Sequence, residues 1–202
     1  MDDKQKLYVF SDYVCPWCYL GQSKLKKVLK KINLKTELIH FPLHPETPTK
    51  GMELTKLFNC TKKELIKKNI FMEQLMSEEN LNFKPRSHTF NSRLAQELGY
   101  WAEKIKNNYD IHDKIYNAYF FEQKNLSDLR VLIDIASSVG LDIVEAEKIL
   151  HERTFKDNIN THWKISFESN VSGVPTYSLN GRNLIGAQSE ENLIKFIVSQ
   201  LN

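Results

Sequence analysis

Hydrophobic and polar residues alternate with two different periods along the chain. Residues 7–10 form a short β-branched and aromatic run that predicts a strand, and apolar positions at helical spacing follow it through residue 31. Residues 35–41 predict a second strand, which ends at Pro42. The N-terminal part therefore has the order strand, helix, strand.

From about residue 55 the period becomes helical and stays so for roughly 110 residues. Thr61 with Glu64 is a capping-box signature for the first of these helices, and an apolar stripe follows it, formed by Leu65, Ile66, Ile70, Leu75 and Met76. Further helices are predicted over 91–106, 110–123, 127–139 with Ser127 as its cap, and 142–153.

The C-terminal part returns to strands. A helix over 156–169 precedes a predicted strand over 171–179, and Asn180-Gly181 is typical of a tight hairpin turn before a return strand through Ile185. Ser189 is placed to cap a closing helix over 190–200. Strands at both ends with helices between them predict one sheet interrupted by an insertion, with a sheet domain of 1–50 and 156–202 and an inserted helical subdomain of 51–155.

The charge pattern narrows the class of protein. The 28 basic and 25 acidic residues are mixed along the chain, which is typical of a solvated surface and speaks against nucleic-acid or membrane partners. No run approaches the ~18 apolar residues of a membrane span, and residues 1–6 are polar without a signal-peptide pattern, so we expect a cytoplasmic protein. Three cysteines in a reducing compartment argue against a framework of structural disulfides.

The segment Cys15-Pro16-Trp17-Cys18 carries the candidate chemistry. Pro16 suits the first turn of a helix, which places Cys15 at the helix cap, where unpaired N–H groups and the positive dipole end favour a thiolate. A thiolate is the attacking species in disulfide exchange, and Cys18 lies within reach to resolve the mixed disulfide. We therefore expect Cys15 to attack and Cys18 to resolve.

A zinc site is the main alternative for this spacing. His40 and His44 lie downstream with three residues between them, but they belong to a predicted strand with Pro42 between them, whereas zinc-finger histidines lie on a helix. Two cysteines placed merely by packing are a further alternative. We predict no metal site.

Several motifs together identify a family resemblance. Residues 10–21 (Phe-Ser-Asp-Tyr-Val-Cys-Pro-Trp-Cys-Tyr-Leu-Gly) and Gly173-Val174-Pro175 resemble the DsbA-like thioredoxin-fold superfamily, within it the FrnE-like branch. This superfamily is related to 2-hydroxychromene-2-carboxylate isomerase and kappa-class glutathione transferases. The resemblance spans essentially the whole chain.

The resemblance implies both a fold and an activity. The fold is α/β: a thioredoxin fold whose central mixed sheet is flanked by helices, with an inserted all-helical subdomain. Val174–Pro175 is expected to be cis and to face the cysteines, leaving the backbone of Val174 to pair with an extended substrate. The activity is that of a thiol–disulfide oxidoreductase on protein or small-molecule substrates. No tightly bound cofactor is implied; glutathione or another thiol can serve as co-substrate, and a homodimer is compatible with the family.

Four positions leave the mechanism open. Val9 stands where many thioredoxin-like proteins carry a buried acid, so Asp12 either moves protons for the second sulfur or caps the loop, and we favour capping. Trp17 either contacts substrates or packs on the inserted helices. Cys60 has no partner at a telling spacing.

Two other functions remain to be weighed. One is a glutathione-dependent isomerase or transferase, although relatives of that class typically carry serine at the first cysteine position. The other is a redox-inactive chaperone or binding module. Replacing Cys15 by serine separates exchange chemistry from binding alone.

Overall fold

The structure is a computed structural model that describes residues 6–201, and it divides into two compact units. One unit ends at Leu43 and resumes at Thr161, and the other is His44–Asn160. The boundaries thus lie seven residues before and five residues after the predicted ones. The second shift arises because one continuous helix, Lys156–Glu168, begins in the inserted unit and ends in the sheet unit.

The order of elements follows the predicted one. They are β1 (Lys6–Ser11), α1 (Pro16–Leu29), β2 (Lys35–His40), β3 (Met52–Glu53), α2 (Leu54–Leu57), α3 (Lys62–Glu78), β4 (His88–Thr89), α4 (Arg93–Lys104), α5 (Asp110–Phe120), α6 (Leu129–Ser138), α7 (Ile143–His151), α8 (Lys156–Glu168), β5 (Thr176–Leu179), β6 (Arg182–Ile185) and α9 (Glu190–Leu201).

The first unit contains a four-stranded mixed sheet in the order β2-β1-β5-β6. Strand β1 is parallel to β2 and antiparallel to β5, and the β5–β6 hairpin turns at Asn180 and Gly181, whose φ angles are 51° and 76°. Two positive φ angles in a two-residue turn are what an Asn-Gly hairpin requires. Strand β5 begins at Thr176, five residues later than predicted, so residues 171–175 form a loop ahead of the strand.

Alternate residues of β1 feed two hydrophobic clusters, one on each face of the sheet. The cluster that includes α1 and α9 is formed by Leu7, Leu25, Val28, Tyr177, Leu179, Leu193 and Ile197. The opposite cluster is formed by Phe10, Ile39, Phe41 and Val171, with Ile165 of α8 packed against it. The chain therefore has the thioredoxin-like arrangement, a mixed sheet flanked by helices.

The inserted unit is helical apart from one short antiparallel ladder. Strands β3 and β4 pair Met52 with Thr89 and Glu53 with His88. Two-residue strands are too short to show an alternating pattern, which is why the sequence does not predict them. The predicted capping box at Thr61 is present in full, and Ser189 also caps its helix as predicted.

Two details of the inserted unit differ from the sequence prediction. Asp128, rather than Ser127, caps α6 through its side chain, since the helix begins one residue later than Ser127 would require. Ile66 and Ile70 of the predicted apolar stripe are 57% and 49% exposed, and the buried residues of α3 are Leu65, Met72 and Met76. The buried face of α3 is therefore narrower than its apolar pattern.

A buried carboxylate joins two segments of the inserted unit. Glu97 on α4 is fully buried and accepts hydrogen bonds from Arg93 at 2.9 Å and from Arg153, just after α7, at 2.7 and 2.9 Å. Bidentate arginine contacts offset the cost of burying the charge. Within residues 6–201, none of the helices combines the length and the apolar character that crossing a bilayer requires.

Candidate active site

Cys15 and Cys18 lie at the start of α1, immediately after β1. Cys15 is the N-cap residue with extended backbone angles, Pro16 occupies the first turn, and the backbone N–H groups of Cys18 and Tyr19 both donate to the Cys15 carbonyl, at 3.1 and 3.2 Å. The helix thus begins as the sequence predicts. Both residues are buried, Cys15 with 3% and Cys18 with 1% of its surface exposed, so they differ little in enclosure.

The Cys15 sulfur faces the loop before β5. Its thiol donates to the Val174 carbonyl oxygen, with 3.5 Å between Sγ and O, although 159 residues separate the two in sequence. The Val174–Pro175 peptide bond is cis, as the resemblance implies. The fold therefore brings together the cysteine pair and the Val-Pro segment that the sequence singled out.

Cys18 holds its proton more firmly than a free thiol. Burial raises its pKa well above the usual range, and a hydrogen bond and the charge of Cys15 raise it further. Hydrogen bonds from the Ser11 side chain and the Asp12 backbone favour the Cys18 thiolate and work in the opposite direction. Cys18 is therefore a protonated thiol at neutral pH.

Both carboxylate oxygens of Asp12 accept hydrogen bonds from backbone N–H groups. Oδ1 accepts from Val14 at 3.1 Å and Oδ2 accepts from Leu43 at 3.0 Å, and the residue is 1% exposed. These bonds fix the loop that leads to Cys15 against the end of the segment after β2. The geometry matches the loop-capping role; a proton-transfer role for Asp12 stays a prediction.

Val9, at the position where many thioredoxin-like proteins carry a buried acid, has an apolar side chain that packs in the core. Val9 lies half-buried against the cluster of α1 and α9 and pairs with Tyr177 across the β1–β5 ladder. Its side chain can neither take up nor release a proton. Any proton transfer to or from Cys18 must use other groups.

Tyr177 is a buried neighbour of the dithiol that sequence reasoning missed. Its hydroxyl has no hydrogen-bond partner within residues 6–201, and burial, followed by the charges of Cys18 and Cys15, raises its pKa. Gly21, three residues after Cys18, makes room for it, because a Cβ there would lie 2.5 Å from the Tyr177 hydroxyl and 3.1 Å from Pro175 Cγ.

Ser11 was also missed, although it lies within the quoted motif. It is 5% exposed at the end of β1, opposite His40 in the β1–β2 ladder. In the sequence, Ser11 lies four residues before Cys15 and directly before Asp12. Strand alternation alone does not show that its hydroxyl meets a sulfur.

The remaining predicted residues lie as follows. Trp17 is 39% exposed, and Cys60 belongs to the inserted unit and is half-buried. His40 is buried beside Tyr13 and His162, whose ring centroids lie 5.5 and 5.6 Å from its own. Among residues 6–201, no group of three or more His, Cys, Asp or Glu side chains is arranged to hold a metal ion.

Comparisons with known proteins agree with this geometry. A family model described as a DSBA-like thioredoxin domain matches residues 6–198. The chain is 27% identical over 193 residues to the uncharacterised protein YwbO of Bacillus subtilis, with 94% of each chain covered.

Two solved structures are similar in fold. A probable DsbA oxidoreductase from Streptomyces coelicolor superposes with a TM-score of 0.91 at 20% identity, covering 98% of this chain and 90% of that one. A cytosolic disulfide reductase, DsbM of Pseudomonas aeruginosa, crystallised with GSH, superposes with a TM-score of 0.66 at 16% identity, covering 97% of this chain and 98% of that one. At these identities the likeness concerns the fold.

Proposed function

Because the chain belongs to the family of DSBA-like thioredoxin domains, we propose that it is a thiol–disulfide oxidoreductase in which Cys15 attacks and Cys18 resolves. The observation that carries the proposal is the placement of the two thiols. Cys15 caps α1 with its sulfur toward the Val174 carbonyl, and Cys18 lies one helical turn behind it with a raised pKa. Two thiols with different environments suit two successive steps.

The exchange proceeds through a mixed disulfide. The Cys15 thiolate attacks one sulfur of the substrate disulfide, a bond forms between them, and the substrate's other sulfur leaves as a thiolate that takes a proton. Cys18 then gives up its proton and attacks Cys15, which releases the second substrate thiol and leaves a Cys15–Cys18 disulfide. The substrate is reduced by two electrons and the chain is oxidised by two. Two molecules of a thiol such as glutathione restore the dithiol and leave joined as one disulfide, and the reverse sequence oxidises a substrate dithiol.

The Val174 backbone is suited to hold an extended substrate. Its carbonyl oxygen lies beside the Cys15 sulfur, and Pro175 has no N–H to compete for partners. A peptide paired with residue 174 in the manner of an added strand would bring a neighbouring cysteine to Cys15. Trp17, which is 39% exposed, is available to contact such a peptide.

Single-cysteine variants test the proposal. We expect Cys18→Ser to accumulate a mixed disulfide with an oxidised peptide or with glutathione disulfide, because attack can occur and resolution cannot. Cys15→Ser should form none, and Cys60→Ser, the matched control, should turn over a model disulfide like the unaltered chain. Mass spectrometry of acid-quenched samples identifies the linked cysteine.

The outcome also separates the other functions. Turnover of the model disulfide that survives Cys15→Ser would contradict the proposal. A glutathione-dependent isomerisation that continues in that variant would favour the isomerase or transferase class. Loss of turnover in both single variants, with a mixed disulfide trapped by Cys18→Ser and not by Cys15→Ser, is expected from the proposal and from neither alternative.

The proposal places the chemistry in the cytoplasm, the compartment given for the Pseudomonas reductase, DsbM. In a reducing compartment a reductase role requires a Cys15–Cys18 potential close to or below that of the glutathione pool. Equilibration of the chain in glutathione buffers measures this potential. A strongly oxidising value would contradict a reductase role and leave an oxidase role.

A further inference from the structure

Arg86, in the segment between α3 and β4 of the inserted unit, is a buried arginine without a carboxylate partner. It is 8% exposed, and no carboxylate of residues 6–201 lies within ion-pair distance of its guanidinium. Nη1 donates to the Tyr119 hydroxyl at 2.7 Å, and Nε is buried with no hydrogen-bond partner in the described chain. Burying an arginine without an anion is costly, so such a group points to a ligand.

The surroundings fix the orientation of this guanidinium. The Asn69 amide bonds both the N–H and the carbonyl of Arg86, at 3.2 and 2.9 Å. The guanidinium carbon lies 4.9 Å from the ring centroid of Tyr119 and 4.6 Å from that of Phe120, and the Tyr119 hydroxyl is held in turn by Thr89 at 2.8 Å. With Nη1 engaged, the edge formed by Nε and Nη2 has no protein partner in residues 6–201.

Arg86 lines two adjoining cavities. Their volumes are about 150 and about 440 Å³, and they share Ser87, His88 and Gln123 as well as Arg86. The larger volume falls in the range of small-molecule sites, roughly 300–1,000 Å³. The cleft is therefore large enough for a compact organic ligand.

The lining of the larger cavity combines positive charge with an apolar wall. Lys62 adds a second cation, and the carboxylate of Glu53 accepts a hydrogen bond from Thr55 at 3.2 Å. Leu65, Ile66 and Pro85 supply the apolar part, and Ile66 is 57% exposed. A ligand that fits this lining has one anionic end and one apolar end.

The choice of anion follows from the donors present. A carboxylate is a monoanion that the N–H groups of Nη2 can bind, because Nη1 is engaged and Nε is enclosed. A phosphate dianion calls for more donors, and the first turn of α3, where Lys62 lies, is already served by the Thr61–Glu64 capping box. The charge of Glu53, which lines the same cavity, also opposes a dianion more than a monoanion.

We propose that this cleft binds a small organic carboxylate with an apolar body, its carboxylate on the unpartnered Nη2 of Arg86 and its apolar body on Leu65, Ile66 and Pro85. The site lies wholly within the inserted unit and is independent of the exchange chemistry assigned to Cys15 and Cys18.

The experiment uses the full chain labelled with ¹⁵N and titrated with 4-phenylbutanoate, with 4-phenylbutan-1-ol as the uncharged probe. We expect the carboxylate to shift amide signals of residues 62–69 and 85–88, and the alcohol to bind about tenfold or more weakly, the value of a charge-assisted hydrogen bond. Arg86→Lys, which keeps the charge and removes Nη2, should weaken carboxylate binding by a similar factor.

Two further variants test the proposal if Arg86→Lys does not fold. Ile66→Glu places a repelling carboxylate on an exposed helical position, so it should reduce affinity about tenfold without unfolding the chain. Arg130→Lys, at an exposed position on α6, is the matched control and should bind like the unaltered chain. Equal binding of acid and alcohol, shifts elsewhere in the chain, unchanged binding by Ile66→Glu, tighter binding of inorganic phosphate, or a Kd weaker than about 10 mM would each overturn the proposal.

Discussion

Cys18 shows how neighbouring groups alter the proton affinity of a thiol. Its thiol is 1% exposed, so water cannot stabilise the thiolate, and the sulfur of Cys15 makes ionisation harder still. Ser11 is the side chain that works against both effects. In the proposed mechanism the ease of the second step therefore depends in part on the Ser11 hydroxyl at the end of β1.

Replacing Ser11 by alanine tests this dependence. Without the hydroxyl the Cys18 thiolate loses a hydrogen bond, the pKa of Cys18 rises further, and resolution of the mixed disulfide at neutral pH should slow about tenfold or more. The rate of resolution is measured by rapid quenching and mass spectrometry across pH 7–10.

The pH profile distinguishes this role from a structural one. The Ser11→Ala profile should move to higher pH, whereas Ser11→Thr, which keeps a hydroxyl, should retain the original profile. Resolution by Ser11→Ala at the unaltered rate over the whole pH range would refute the assignment.

Helix α1 and strand β5 approach each other closely at Gly21. The absence of a side chain there leaves space for the Tyr177 hydroxyl and the Pro175 ring. Overpacking in Gly21→Ala should cost about 1–3 kcal/mol, and the roughly 1 kcal/mol that alanine gains in a helix offsets part of it, so we expect a net destabilisation of up to about 2 kcal/mol. Denaturant unfolding measures the difference.

A double-mutant cycle tests whether contact with the Tyr177 hydroxyl causes the destabilisation by Gly21→Ala. Tyr177→Phe removes the hydroxyl that a new Cβ would meet at 2.5 Å, and this hydroxyl has no partner to lose within residues 6–201. Gly21→Ala should therefore cost less free energy of unfolding in the Tyr177→Phe background. The same cost in both backgrounds would mean that the close approach is not the source of the strain.

The elements differ in how far the sequence predicts them. Helix α1 and the β5–β6 turn follow from local signals, since Pro16 fixes a first turn and Asn180-Gly181 specifies a hairpin. Strands β3 and β4 escape prediction because each has two residues. The cap of α6 is ambiguous in the sequence, because Ser127 and Asp128 are neighbouring residues that both cap helices well, and the structure uses Asp128.

The residues of the candidate site also differ in how far the sequence predicts them. Short sequence motifs are enough to find the two cysteines, Pro16 and the Val174-Pro175 segment, because the residues of each motif are adjacent in the chain. The roles of Ser11 and Tyr177 cannot, because each depends on a contact made only after β1, α1 and β5 come together. Burial, which sets the pKa of Cys18, is likewise a property of the folded chain.

Stability against acid is a property of the whole chain, and Glu103 on α4 contributes to it. Burial raises the pKa of this carboxyl, but the hydrogen bond and charge of His112, at 3.1 Å, and the charge of Lys104 outweigh burial and leave the pKa lowered. A carboxyl with a lowered folded-state pKa contributes stability above its unfolded pKa of about 4.3 and loses it as the pH falls through the folded value.

Acid titration of the unfolding free energy tests this contribution. Glu103→Gln should destabilise the chain by about 1–3 kcal/mol at pH 7 and make the loss of stability below about pH 4.3 less steep, because the charge-assisted bond is already gone. Glu191→Gln, at an exposed position on α9, provides the control. Parallel acid limbs for Glu103→Gln and the unaltered chain would contradict the assignment.

The hydrogen bond from Cys15 to the Val174 carbonyl exists only while Cys15 carries its hydrogen. Ionisation or disulfide formation removes that donor and frees a second acceptor position on the carbonyl oxygen for a peptide N–H. The hydrogen bonding of the Val174 oxygen therefore follows the chemical state of the Cys15 sulfur. In the dithiol chain the oxygen accepts from Cys15, and in the thiolate and disulfide chains that bond is absent. Discrimination between oxidation states can therefore begin at docking, before any sulfur–sulfur bond changes.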